Sequence, residues 1–570
     1  MTEPASSPSW SRDLLLLTLV LGLLFGFRLG SYPLANPDEG RNAEIPREMV
    51  ASGDWVTPRL NGVNYFEKPP LMYWAVAGCL AVLGSSEWSV RAAPALFALG
   101  GVLITYAAAR RIYGRRAGLF VALVLGTSLF YFGVGRLLVL DMAVSVLMSA
   151  TLFCFILGVR EPPPAKDSAN SGQWAARRRW LFYGLYASAA LATLTKGLIG
   201  FLVTGAVMFL WLLVFNQWKR LRPFYLPTGA LLFLVIAAPW HILAALRNAT
   251  WVHRYLVYEH FERFTSPAAG RPGAWWYFVP IVLLGLFPWT GFLWAGLREA
   301  LRGGWAARAK NVDAWFFATW AGFIFLFFSA SHSKLPAYVL PVFPALAVLI
   351  GQWLAQAPDE GAARLRPGLR VFTFICGLLA VALLVAVLRV GAIIREPGQA
   401  EMLRPYAFGM TAVLLLGGVL APWLAHLRGP RAALLGMAAT MALFCGVLTF
   451  AAPDIQRPGT KELALFVKAH AQPGDRVMHY HEFFHDFTFY AGRVVDVVAF
   501  KGELELEEDA AARASGRFLD EAAFRRLWTQ PGRLYVVARK PDVRELFADP
   551  AFSYHLLDQT EDHYLFSNQP

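Results

Sequence analysis

Between Pro37 and Trp74 the chain gathers six carboxylates (Asp38, Glu39, Glu44, Glu48, Asp54, Glu67) and four strong bases (Arg41, Arg47, Arg59, Lys68). Carboxylates can move protons, and Asp38, Glu39 and Glu67 also offer hard oxygen ligands to a divalent metal. The bases can hold an anion. Side chains of the same two kinds recur far along the chain. Asp141 follows RLLVL, and Lys196 breaks a long apolar stretch as Thr195-Lys196-Gly197. Arg254 sits among Trp251, His253, Tyr255, His260 and Arg263, and Lys334 and Tyr338 share the segment SHSKLPAY. A dense charge cluster in the first loop of a very apolar chain either solvates that loop or builds a site. Each distant residue also has a plainer use. Asp141 opens an apolar helix, where the helix dipole favours a carboxylate as a cap. Lys196 is an interface anchor or an anion ligand, with Gly197 letting backbone come close. The bases and aromatics of 246–274 suit an interfacial segment touching lipid phosphates.

The elements that must position these residues are membrane helices. Of the 570 residues, 56% are hydrophobic and 16% charged, against about 25% charged in soluble domains. Apolar runs of helical length recur to residue 451, so the chain reads as a polytopic membrane protein. The net charge of +13 does not indicate nucleic acid, because the basic residues sit mainly in short loops between apolar runs. The four cysteines, Cys79, Cys154, Cys376 and Cys445, lie inside apolar segments with no disulfide or zinc-type spacing. The first apolar run, 14–29, lacks a clear cleavage site and reads as a retained helix.

Fourteen apolar runs are candidates: 14–29, 70–84, 92–109, 118–135, 141–159, 181–195, 198–215, 224–245, 275–297, 312–330, 336–355, 369–392, 406–425 and 432–451. Basic loops at 110–116, 160–180, 216–222, 298–311, 361–370 and 426–431 are separated by two spans each, as the positive-inside rule requires. With a cytoplasmic N-terminus, one of the three runs before 110–116 must not cross. Pro70–Gly84 is short and opens with Lys68-Pro69-Pro70, so it is expected to lie at the membrane surface, leaving thirteen spans. The loops 30–91, 136–140, 196–197, 246–274, 331–335 and 393–405 and the tail from 452 then share the outer side. Asp38, Glu39, Lys68, Asp141, Lys196, Arg254 and Lys334 all face that side, opposite the charges that orient the protein. An N-terminus outside with fourteen spans is the alternative.

Within the first loop, Asp38–Ala51 predicts a short helix with Arg41, Glu44 and Glu48 on one face and Gly53 as its stop. WVTPRL-NG-VNYF predicts a hairpin turning at Asn61-Gly62, which would return Tyr65, Glu67 and Lys68 beside that helix. After residue 452, RVMHY, VVDVV, RLYVVA and HYLF alternate with TKELALFVKAH, DEAAFRRLW and VRELFA, predicting a small α/β domain over 453–570. The transmembrane domain is then 1–452. His481-Glu482-Phe483-Phe484-His485 matches the H-E-x-x-H zinc-protease pattern, with Glu505–Asp509 as an acidic follow-up. It directly follows an apparent strand and lies on no membrane helix, so polar residues of a strand-to-helix turn are the expected reading.

The arrangement resembles the polytopic glycosyltransferases that use polyprenyl-phosphate sugars, which include the protein O-mannosyltransferases. More narrowly, PDEGRNAEIPREM, LNGVNYFEKPPLMYW, LLVLDM, TKG and SHSKLPAY look like the lipid A aminoarabinose transferases. The resemblance covers the membrane region; the C-terminal domain matches in position and size only. It implies a GT-C type fold with juxtamembrane helices in the first external loop. It also implies transfer of 4-amino-4-deoxy-L-arabinose from undecaprenyl phosphate to lipid A phosphates, at the periplasmic face of a Gram-negative inner membrane, protecting against polymyxin. Asp38, Asp141 and Glu39 would be the catalytic carboxylates. Lys68, Arg41, Lys196, Arg254, Lys334, Tyr65 and Tyr338 would hold the donor phosphate. The expectation is direct displacement with inversion by a monomer among membrane lipids. A metal on Asp38 and Glu67 is possible but not strictly required, since the lysines and arginines can balance a monophosphate. The first-loop helix and the 246–274 loop are expected to move to admit two large lipids. Another sugar, or a protein hydroxyl as acceptor, is the enzymatic alternative. A transporter is disfavoured by charges clustered on one side and by the lack of an internal repeat.

Overall fold

The structure is a computed structural model, and it describes residues 9–161, 164, 171–248, 251–255, 272–389, 397–456, 459–500, 502, 504 and 509–570. The chain packs as two units. One comprises Met1–Arg28, Pro94–His241 and Val257–Ile455; the other comprises Leu29–Ala93, Ile242–Leu256 and Gln456–Pro570. This division differs from the expected 1–452 and 453–570, because the first loop groups with the C-terminal domain and not with the membrane helices.

The first unit is helical. Among the described residues, eight helices are long and apolar enough to cross a membrane, and a ninth span arises if the pair Phe278–Gly285 and Thr290–Ala300, bent by 104°, counts as one. Helices also cover the other four expected spans. Trp10–Gly26 and Ile199–Phe215 are each 17 residues, the third is split into Arg115–Gly126 and Leu129–Val134, and Ser171–Lys196 is diluted by charge at both ends. Several basic residues that orient the chain also hold it together. Asp13, buried, receives Arg110 at 2.6 Å, Arg115 at 2.7 Å and the Tyr106 hydroxyl at 2.7 Å, tying the first helix to two later ones. Buried Arg178 donates to the carbonyls of Gly158, Arg220 and Pro223, stapling two basic loops. Carbonyls left over at helix ends need such donors when water is absent.

The second unit is built on a six-stranded sheet of order β5-β4-β3-β6-β8-β7. Its strands are β3 (Arg476–Tyr480), β4 (Asp496–Val498), β5 (Phe518–Leu519), β6 (Leu534–Arg539), β7 (His555–Gln559) and β8 (His563–Ser567). Strands β5, β4, β3 and β6 are parallel; β8 and β7 are antiparallel. Met478, Val498, Val536 and Phe566 form the core with Phe524 and Trp528 from the helix Glu521–Trp528. Asp520 caps that helix through Ala523 N at 2.7 Å. The other two helices expected from sequence appear as Lys461–His470 and Arg544–Ala548.

The first loop contributes the helix Asp38–Ser52, closed at Gly53 (φ 71°). The hairpin of β1 (Arg59–Leu60) and β2 (Val63–Asn64) turns on Asn61 (φ 53°) and Gly62 (φ 70°). Two consecutive left-handed residues make the tight turn that Asn-Gly tolerates. Glu48 accepts the Gly62 amide at 2.9 Å, which docks the hairpin on the helix. The next helix, Leu71–Leu83, has 13 residues and spans about 20 Å, too short for a hydrocarbon core of about 30 Å. That length agrees with the non-crossing role expected for it.

Candidate active site

In the second unit, Asp38 stands at the first position of its helix with its side chain 58% exposed. Arg41, one turn on, donates to it at 2.5 Å, and the Arg41 guanidinium lies 6.0 Å from the Tyr65 ring centre. The hairpin thus returns Tyr65 beside the helix, as its sequence predicts. Lys68 and Glu67 are half-buried, and the Lys68 ammonium donates to the Glu67 carbonyl at 2.8 Å. Arg254 lies in the turn 251–255 with the stacked rings of Trp251 and Tyr255, 4.8 Å apart. His260 and Arg263 lie outside the described residues.

Glu39, the immediate neighbour of Asp38, has a different environment. It is buried and forms a two-pronged pair with Arg91, at 2.9 and 2.7 Å. One of its oxygens also accepts the Ala35 amide at 3.0 Å. Arg91 is itself fully buried, donates to the carbonyls of Leu29, Tyr32 and Pro33, and stacks on Tyr32 at 3.7 Å. A carboxylate so enclosed helps fix the loop, and its oxygens face Arg91 and the Ala35 amide. Arg91 was not singled out from sequence. Its only signal is a lone arginine at the mouth of an apolar run.

The helix carries a second buried carboxylate. Glu44 receives both prongs of Arg47 at 2.6 Å. Even so, burial pushes its carboxyl up to about 8, against the pull of Arg47 and with help from nearby Glu48. Burial also raises Glu48, against the Gly62 amide. Arg47 reaches the Gly492 carbonyl at 3.2 Å, so this end of the helix is stitched to the sheet domain.

In the first unit, three residues from distant segments meet. Asp141, at the head of Asp141–Val159, pairs with Lys196 at 2.5 Å, and the Lys196 ammonium lies 4.8 Å from the Tyr338 ring centre. Both charged side chains are mostly buried, at 16% and 17% exposure. Lys196 ends its helix, and Gly197 follows with φ 80°. Lys334 is also buried, but its ammonium donates to the carbonyls of Ser329 and Ser331. It therefore caps the end of Val312–Ala330, where a cation suits the dipole.

The H-E-x-x-H segment does not form a metal site. His481 follows β3 with φ 60°, and the helix His485–Ala491 starts only at the second histidine. The two histidines thus share no helical turn. His481 stacks on Tyr480 at 4.0 Å and Glu482 pairs with Arg539 at 3.0 Å. Residues 505–508 of the acidic follow-up lie outside the described residues. Among the described residues, no group of three or more His, Cys, Asp or Glu side chains is placed to hold a metal, around Asp38 and Glu67 or elsewhere.

Residues 67–243 match the family model described as dolichyl-phosphate-mannose-protein mannosyltransferase. The crystal structure of ArnT from Cupriavidus metallidurans bound to undecaprenyl phosphate superposes with a TM-score of 0.85 at 28% identity, covering 98% of both chains. Together with the helices described above, these matches define a polytopic membrane protein of the GT-C glycosyltransferase fold with a C-terminal α/β domain. Curated relatives narrow this further. An undecaprenyl phosphate-α-4-amino-4-deoxy-L-arabinose arabinosyl transferase of Erwinia tasmaniensis is 30% identical over 393 residues, 69% of this chain and 68% of that one. A protein of the same name from Edwardsiella ictaluri is 33% identical over 334 residues, 58% of each chain. The chain belongs to the family of undecaprenyl phosphate-aminoarabinose arabinosyl transferases, and it is an integral protein of a bacterial inner membrane. The alignment with the Edwardsiella relative spans less than two thirds of that protein's length.

Proposed function

We propose that this protein transfers 4-amino-4-deoxy-L-arabinose from undecaprenyl phosphate to the phosphate groups of lipid A, on the periplasmic side of the inner membrane. The observation that carries this reading is family membership together with end-to-end structural similarity to an ArnT crystallised with undecaprenyl phosphate. In the reaction a lipid A phosphate oxygen bonds to the anomeric carbon. The bond from that carbon to the donor's phosphate oxygen breaks, and undecaprenyl phosphate leaves with the electron pair. Cations that meet the departing phosphate lower the barrier. The candidates for this role are Lys196 with Tyr338 beside it, and Arg41, Lys68 and Arg254 with Tyr65. The acceptor phosphate is already largely ionised near neutral pH, so Asp38 has less need to act as a strong base. It orients the acceptor, steadies positive charge on the sugar ring or binds the sugar's ammonium. Asp141 holds Lys196. A single displacement inverts the anomeric centre, the protein works as a monomer, and no divalent metal is strictly required. Capping lipid A phosphates with an aminosugar lowers negative surface charge and so weakens cationic peptides such as polymyxin.

Mass spectrometry of lipid A from cells with and without the gene tests the reading. Loss of an aminopentose adduct on deletion is expected. Unchanged lipid A, where the parent carries the adduct, contradicts it. The mannosyltransferase family match over 67–243 favours one second reading, a protein hydroxyl as acceptor. That reading predicts altered glycoproteins in the same deletion strain.

A further inference from the structure

We propose that Asp486, in the C-terminal domain, is a positioning residue for Asp38, so that the soluble domain clamps the loop carrying the reactive carboxylate. The proposal rests on the reading of Asp38 given above. Asp486 is fully buried in the first turn of His485–Ala491. It accepts the Asn36 side-chain N–H at 2.5 Å, and its own backbone N–H donates back to the Asn36 side-chain Oδ1 at 2.9 Å. Thr460 completes the shell, donating its backbone N–H at 2.9 Å and its hydroxyl at 2.8 Å. These partners are neutral. A buried carboxylate that accepts three hydrogen bonds, while the Asp486 backbone N–H returns one to Asn36, specifies one geometry at a cost in desolvation.

That geometry brackets Asp38. Asn36 lies two residues before it. Gly40 lies two residues after it, and a Cβ there would come within 2.6 Å of the Asp486 nitrogen and 2.8 Å of the Asn36 oxygen. The backbone of the helix's first turn therefore sits directly against Asp486, and only glycine permits the approach. Tyr490, one turn further along the same short helix, accepts the Leu34 amide at 2.8 Å. From the other side Arg91 grips Glu39. Residues 34, 36, 39 and 40 are each fixed, while the Asp38 side chain between them is exposed. A rigid backbone presenting one accessible carboxylate is the arrangement a preorganised site needs. It also gives the segment beside the H-E-x-x-H match a use unconnected with metal.

The test uses the full-length protein in lipid nanodiscs, with undecaprenyl phosphate-aminoarabinose as donor and lipid A as acceptor. Asp486→Asn, Asn36→Ala, the exchange Asn36→Asp with Asp486→Asn, and Asp38→Asn are compared with wild type. Asp486→Asn and Asn36→Ala are expected to lower kcat by roughly 10- to 100-fold, the scale of a misplacement of about 1 Å, with donor KM changed less than about threefold. The exchange variant restores a donor–acceptor pair and should recover most of the loss. Amide hydrogen exchange should rise in residues 34–41 of Asp486→Asn and fall back in the exchange variant. A kcat within twofold of wild type in both single variants overturns the proposal, as does a loss that the exchange variant leaves unrecovered. Should Asp486→Asn fail to assemble, the exposed Asn36 variant and the exchange variant still decide the matter. Full activity in Asp38→Asn overturns the reading of Asp38 instead, whatever the clamp variants do.

Discussion

Asp38 and Asp141 occupy equivalent local positions in different units of the molecule. Each is the first residue of a helix, and each has a cation at 2.5 Å. Their surroundings separate them. The Asp38 side chain is 58% exposed, although its partner Arg41 is only 14% exposed, so the carboxylate reaches the surface while its cation does not. Asp141 and Lys196 are both mostly buried, and breaking them apart leaves an uncompensated charge in a poor solvent. The same residue type at the same helical position therefore sits in two settings: the Asp38 carboxylate is exposed, whereas that of Asp141 is mostly buried against Lys196. Glu39, adjacent to Asp38 yet enclosed by Arg91, makes the same distinction within one helical turn.

The comparison can be broken in several places. The largest effect is expected at Asp38: Asn there should lower kcat by about 10²- to 10³-fold, the range for removing one preorganised electrostatic contact to the reacting groups. Its thermal stability should stay near wild type, because the residue is exposed. Asp141→Asn should cost less, roughly 10- to 100-fold, and raise donor KM, because Lys196 loses its anchor. Equal kcat losses with unchanged KM in both variants would erase the distinction. Glu39→Gln should act chiefly on stability, by about 3 kcal/mol, since it leaves buried Arg91 short of its counter-charge. Thermal unfolding in nanodiscs reads that difference.

A smaller effect concerns pH. The Glu44 carboxyl, ordinarily near 4.5, is raised to about 8 in the fold. Between those values the folded protein holds a proton that the unfolded chain has released, so stability declines as pH rises through the window and levels above it. Glu44→Gln should flatten that slope over pH 5 to 8, and an unaltered slope would contradict the assignment. The smallest effect belongs to the protease-like segment. His481→Ala should leave transfer within about twofold of wild type, as a partly exposed turn residue implies.

Local features were legible in the sequence because their causes are local. The Asp38–Ser52 helix follows from side-chain spacing, and the β1–β2 turn from Asn-Gly tolerance of positive φ. Strand β3 lies over RVMHY, and the helix Glu521–Trp528 begins after its Asp520 cap. The charges of interest at Asp38, Asp141 and Lys196 stood out because each is costly beside a membrane. What escaped was long-range pairing. Arg91 and Glu39 are 52 positions apart, and Asn36 and Asp486 are 450 apart. No periodicity or propensity links them, and each pair forms only when separate elements fold together. The same limit hid the pairing of Glu39 with Arg91; the acceptors of Lys334, the Ser329 and Ser331 carbonyls, are near in sequence, and only the local fold brings them to its ammonium.

The most direct test of the account is a transfer assay with purified protein, undecaprenyl phosphate-aminoarabinose and lipid A, in which wild type and Asp38→Asn are read side by side by mass spectrometry of the lipid product. The account predicts an aminopentose adduct with wild type and its loss, by about two orders of magnitude or more, with a folded Asp38→Asn protein. Undiminished adduct with Asp38→Asn would contradict the claim that this exposed carboxylate serves the reaction.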